Sequence, residues 1–168
     1  MSRSLVVLVA VLLALMAVSL RPQDNKSRGS LTRYVLPSWG NGAPAIVIWL
    51  PAGYERETKK PADFDLHYLN NKKLQLPGIL VYVGHHPNPF SSGIAPDKKT
   101  TIKVRIAGRE AEWIEWVSEG HYLGEVLLSG LYPDDPNWGG LVVHISINAK
   151  TEKDLHEAER WFAEISLQ

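Results

Sequence analysis

Apolar residues along this chain fall into one long block and a series of short runs. Leu5 to Leu20 (LVVLVAVLLALMAVSL) passes without a charge, a Gly or a Pro. Beyond Tyr34 the apolar runs are short and bounded by Gly, Pro and polar clusters, the punctuation of strands. Ala45 to Leu50 (AIVIWL) is apolar on both parities and ends at Pro51 and Gly53, which predicts a central strand. Glu55 to Pro61 reads as a charged loop. Phe64 to Leu69 alternates Phe64, Leu66 and Tyr68 against Asp65 and His67, a half-buried strand, and Asn70-Asn71-Lys72-Lys73 turns the chain. Gly78 to Gly84 (GILVYVG) is a further strand, after which Pro87, Pro89, Gly93 and Pro96 impose a long loop.

Alternation is cleanest at Thr101 to Ile106, where Ile102, Val104 and Ile106 oppose Thr101, Lys103 and Arg105. Ala107-Gly108-Arg109-Glu110 joins it to Ala111–Val117 as a hairpin. His121 to Leu128 is another strand, Leu131 to Gly140 a polar loop, and Leu141 to Asn148 a strand with Val143, Ile145 and Ile147 on one face. Thr151 to Ile165 is the one convincing helix. Thr151 and Asp154 resemble a capping box, and Leu155, Ala158, Phe162 and Ile165 form an apolar stripe with Trp161 at its edge. Together these elements predict one α+β domain over residues 34–168. Its expected architecture is a mainly antiparallel sheet of about six strands with the C-terminal helix packed on one face.

The long apolar block reads as an address. A basic start at Arg3, the uncharged run and the small-x-small exit Ala17-Val18-Ser19 make the pattern of a secretory signal peptide over residues 1–19. The competing reading is a retained anchor, the only route by which a membrane becomes a partner. As a helix, residues 5–20 would span roughly 24 Å against a hydrocarbon core of roughly 30 Å, a tolerable mismatch. Both readings export the domain, periplasmic or secreted; a third, in which the run is a buried core helix, does not. Residues 20–33 are polar and of mixed charge, a linker.

Composition removes several function classes. There is no Cys, so no disulfide, thiolate ligand, thiol nucleophile or lipid-bearing cysteine is available. Lys and Arg total 18 and Asp and Glu total 18. That balance argues against nucleic acid or an anionic membrane surface, both of which need a basic face. Phosphate-binding Gly loops and the Gly-x-Ser-x-Gly elbow are absent.

Candidate chemistry centres on Gly84-His85-His86-Pro87-Asn88-Pro89 at a strand exit, where the chain can turn both imidazoles outward. A metal needs three or four ligands, so His67, His121, His144, Asp134 or Asp135 would have to join by folding. The plainer role for His85 and His86 is to hydrogen-bond a Pro-stiffened loop. His144 lies opposite Val143, Ile145 and Ile147, at a rim or a cleft. Trp113 and Trp116 sit among Glu110, Glu112, Glu115 and Glu119, but two Trp three apart face opposite sides of a strand, so one alone lines any surface. Tyr132 to Gly140, with Asp134, Asp135 and Trp138, has turn chemistry and lacks the spacing of a calcium loop.

Leu141–Ile165 (LVVHISINAKTEKDLHEAERWFAEI), together with AIVIWLPAGYE, resembles small exported domains of the PsbP/Mog1-like fold. The resemblance implies an antiparallel sheet flanked by helices and a binding or accessory role, with no catalytic residues to carry over. The expectation is therefore an exported, non-catalytic domain without a cofactor. It binds a protein partner or small ligand through loops carrying His85, His86, Asn88, Trp116, Tyr132, Trp138 and His144. The alternative is a metal- or His-dependent enzyme built on His85 and His86.

Overall fold

A computed structural model describes residues 31–38, 42–61, 63–132, 134–137 and 139–168. The signal or anchor segment, most of the linker, the Trp39-Gly40 turn and Trp138 lie outside the described residues. Within them the chain forms ten strands in two sheets and one α-helix. The strands are β1 (Leu31–Leu36), β2 (Ile46–Pro51), β3 (Glu55–Lys59), β4 (Phe64–Asn70) and β5 (Gly78–Gly84). They continue as β6 (Lys99–Ile106), β7 (Arg109–Ser118), β8 (His121–Leu128), β9 (Val142–Ala149) and β10 (Ser166–Leu167), with α1 spanning Glu152–Trp161 before β10. The α+β class and the antiparallel sheet with a C-terminal helix stand; about six strands undercounts it.

The large sheet has the order β3-β4-β5-β9-β8-β7-β6, and the small one β1-β2-β10. Every adjacent pair is antiparallel. Two-residue turns fit the hairpins: Ala107 and Gly108 take φ of 51° and 74°, and Glu119 and Gly120 take 51° and 76°. Positive φ at both central positions matches the twist of the strands that such a turn joins.

One core lies between the inner face of the large sheet and a second layer made of the small sheet and α1. Ile79, Val81, Val83, Val126, Val143, Ile145 and Ile147 meet Leu36, Ile46, Ile48 and Leu50 from the small sheet and Leu155, Ala158 and Phe162 from the helix region. Thr151 caps α1, accepting from Asp154 N–H at 3.1 Å, as the sequence predicts. The helix stops at Trp161, and residues beyond it fold back so that Ala45 and Gln168 exchange backbone hydrogen bonds of 2.9 Å. The small sheet thereby takes its third strand from the chain's last residues.

Three expectations change. Glu55–Lys59 is an edge strand, not a loop: its charges face solvent while its backbone pairs with β4. The first strand begins at Leu31, inside the expected linker. In β4 the buried residues are Asp65, His67 and Leu69, and Phe64, Leu66 and Tyr68 are half-buried on the outer face. On this inner side His67 Nδ1 lies 3.0 Å from Thr58 Oγ1 and Lys60 Nζ lies 3.5 Å from Asp65 Oδ2, while Asp65 Oδ2 makes no hydrogen bond among the described residues.

Burial holds the fully covered His67 below the ordinary 6.5, despite the opposing pull of Asp65. The unfolded chain takes up this proton near pH 6.5, whereas the folded chain resists it until lower pH. The unfolded state then binds more protons, so stability rises with pH through that window. Urea unfolding should show stability falling as pH drops below about 6.5, and His67→Gln, which still offers Thr58 a partner, should flatten that part of the profile.

Candidate functional site

The chain leaves β5 near the middle of the large sheet and next pairs in β6 at its far edge. Four strand spacings, roughly 19 Å, separate the two. Residues 85–98 make this crossing over the outer face, above β9 and β8. The crossing exposes backbone N–H groups that no ladder can satisfy, and one short 3-10 turn, Phe90–Gly93, brings two of them together with no side-chain cap of its own.

Glu125 supplies the missing acceptors. It stands on β8 paired with Ser146 on one side and Ile114 on the other, pointing to the outer face. Its Oε2 accepts from Phe90 N–H at 2.8 Å, and its Oε1 from Ser91 N–H at 2.9 Å. His144, the next strand's outer-face residue, places Nε2 2.8 Å from Glu125 Oε2. Facing a carboxylate, that nitrogen must carry the proton and donate. The phenyl ring of Phe90 lies over the imidazole, with centroids 5.5 Å apart. Glu125 is 0 % exposed and His144 3 %.

Burial by itself would raise the Glu125 carboxyl. Hydrogen bonds from His144, from the side chain and backbone of Ser91 and from the Phe90 backbone outweigh it and hold the group at about 2. The ionised Glu125 carboxylate is thus a structural clamp: a charge inside the protein that is coordinated by donors. Lys99 Nζ adds a bond to the Ser91 carbonyl at 3.3 Å. Upstream, Tyr82 accepts from His86 N–H at 3.0 Å, which fixes where the loop begins.

The expected contact residues divide. His85, His86 and Asn88 are exposed on the crossing loop, and His144 is buried under it. Trp116 is 7 % exposed on the outer face beside Leu123. Tyr132, 4 % exposed, belongs to the core and bonds through its hydroxyl to Ser38. His121 is remote, donating through Nδ1 to Asn148 Oδ1 at 2.7 Å in a shallow cleft of about 260 Å³ near the start of α1. His85 and His86 hold their rings 6.3 Å apart and belong to no three-ligand group among the described residues. The group that does meet that description is Glu115, His156 and Glu159, under α1.

Glu125 and Ser91 are the residues of this arrangement that sequence reading missed. Glu125 does interrupt the apolar run from Tyr122 to Leu128. An acid in the middle of a buried strand was the available signal, although it does not say which donors would meet it.

Because the folded pKa is depressed, the carboxylate contributes stability that is present above about pH 4.5 and drains away as pH falls toward 2. The size is on the order of 3 kcal/mol. Glu125→Gln has one acceptor oxygen in place of two and should cost about that much at neutral pH. In urea unfolding, the gap between wild type and variant should close between pH 4.5 and 2; a gap that stays constant would exclude the clamp.

No protein-family model, no curated protein and no solved structure matches this chain. The functional reading therefore rests on its own geometry.

Proposed function

We propose that the chain is an exported, non-catalytic domain that binds a protein partner or a small ligand on the loop-bearing outer face of its large sheet. The observation that carries this reading is Phe90. Its ring is 53 % exposed, while its backbone N–H is held at 2.8 Å by a fully buried carboxylate. An exposed aromatic on a backbone already ordered is an efficient anchor, since the entropy of ordering the loop is lost on folding and not on association.

The surroundings suit such a surface. His85, His86 and Asn88 are exposed just upstream and offer polar contacts at the rim. Leu66, Tyr68, Leu80, Leu127 and Val142 are half-buried on the same face of the sheet and extend its apolar part. A surface of this type needs shape and anchors, with no reacting group. Export is supported by Arg3 followed by the uncharged Leu5–Leu20 run and the small-x-small exit Ala17-Val18-Ser19. An accessory role in the manner of PsbP/Mog1-like domains is part of the same proposal. Among the described residues no helix is long and apolar enough to cross a membrane.

Two measurements check this reading. Intact mass and N-terminal sequencing of protein recovered from the exported fraction should place the mature start at Leu20; a chain beginning at Met1 means that the segment is kept. Partners or ligands captured by the full chain should be held at least tenfold more weakly by Phe90→Ala, the scale of one lost anchor. They should be unaffected by Leu74→Ala, a change at a side chain 64 % exposed in the β4–β5 turn. Equal retention by both variants sinks the assignment of the outer face.

A further inference from the structure

The cleft of about 260 Å³ lies at the end of the large sheet where β5 begins, away from the crossing loop at the other end of that strand. The β4–β5 turn, the start of β8 and the segment joining β9 to α1 surround it. The turn is pinned to the protein by Asn71, which is 3 % exposed. Its Nδ2 donates to the Ala52 carbonyl at 3.0 Å, and its Oδ1 accepts from Leu74 N–H at 3.1 Å. Gln75 then takes a positive φ of 50°, a conformation that favours glycine. A glutamine there sets an amide on the rim, where its Oε1 accepts from Lys150 Nζ at 2.9 Å.

The hydrogen bonds made inside the cleft decide what it still offers. Lys150 occupies the oxygen of Gln75, and His121 Nδ1 occupies that of Asn148 at 2.7 Å. Each amide is left with its NH₂ group, which can only donate. Lys150 keeps two more N–H bonds and Lys72, on the turn, has three. Neither ammonium meets a carboxylate among the described residues. Asp154, the one acid among the described lining residues, serves the helix cap, its Oδ2 accepting from Thr151 Oγ1 at 2.7 Å. What remains is a surplus of donors and two positive charges around a preformed space.

We propose that this cleft binds a phosphate monoester of a sugar-sized molecule, with Lys72 and Lys150 balancing the phosphate charge and the Gln75 and Asn148 amides donating to its oxygens. Donors without acceptors call for an oxyanion. Two ammonium groups match the near-dianionic charge of a phosphate monoester. Lysine meets phosphate as a point charge, whereas a carboxylate is best held by the planar fork of arginine, which is absent from the described lining residues. Volume limits the body that carries the phosphate. The cleft is smaller than the roughly 300–1,000 Å³ that encloses a drug-sized ligand. At roughly 30 Å³ per water, it is still several times larger than a bare phosphate fills. Leu76 and Pro77 give one side an apolar surface for the C–H face of a sugar ring. This site does not rest on the reading of the Phe90 face.

The test uses the full chain. Calorimetric titration with glucose 6-phosphate should give one site per chain with a Kd of roughly 1 mM or tighter. Glucose should not bind measurably, and inorganic phosphate and glucuronate should each bind about tenfold more weakly than the ester. Added salt should weaken the ester. Lys72→Gln and Lys150→Gln, both at exposed positions, should each cost about tenfold in affinity. Lys103→Gln, an exposed lysine on β6, and Phe90→Ala should leave binding unchanged. No binding of the ester, equal binding of glucose, glucuronate or inorganic phosphate, or binding that survives both cleft variants overturns the proposal. So does an equal loss through Lys103→Gln.

Discussion

A connection that leaves β5 and must reach the opposite edge of the sheet has to travel over the strands between, carrying unpaired backbone N–H groups with it. In water those groups would be satisfied at no cost. Laid against a sheet face they need acceptors, and the sheet provides them through one carboxylate whose two oxygens meet two successive N–H groups and an imidazole. The placement of the loop, the burial of His144 and the exposure of the Phe90 ring all follow from that arrangement. Removing Glu125 would release a loop and leave a buried donor on His144 together with two on the backbone.

The two carboxylate groupings stand back to back across the same pair of strands. Glu125 pairs with Ile114 and points outward; one step along, Glu115 pairs with Gly124 and points toward the helix. The outer carboxylate is surrounded by donors and needs nothing more. The inner one shares a covered space with a second carboxylate and has an oxygen without a donor. The outer group fastens the crossing loop, whereas the inner one leaves Glu115 Oε1 without a hydrogen-bond donor among the described residues.

Local pattern was a good guide wherever one face of an element is buried by apolar residues alone. Gly78–Gly84 and His121–Leu128 coincide with β5 and β8, and the Thr151 cap and Leu155-Ala158-Phe162 stripe match the helix. It failed where polar groups are buried or charges line an edge. In β4 the covered side carries Asp65 and His67, with Thr58 bonded to His67 and Lys60 paired to Asp65. Glu55–Lys59 looked like a loop because a strand at an edge can hold charges on both faces. At the outer face, the sequence drew attention to His144 and the His85–Asn88 stretch but offered no reason to join His144 to Glu125.

By itself the sequence determined the absence of any cysteine chemistry and an α+β chain of short strands closing on one capped helix. Those properties depend on runs of neighbouring residues, and hydrophobic period, turn residues and caps act over a few positions. Which side of the sheet each acid faces, and what meets it there, was decided only in three dimensions. Phe90 and Ser91 reach Glu125 from 35 and 34 residues away, and Glu115 and His156 stand 41 apart. Partners that distant are chosen by strand order and register, and no local period encodes them.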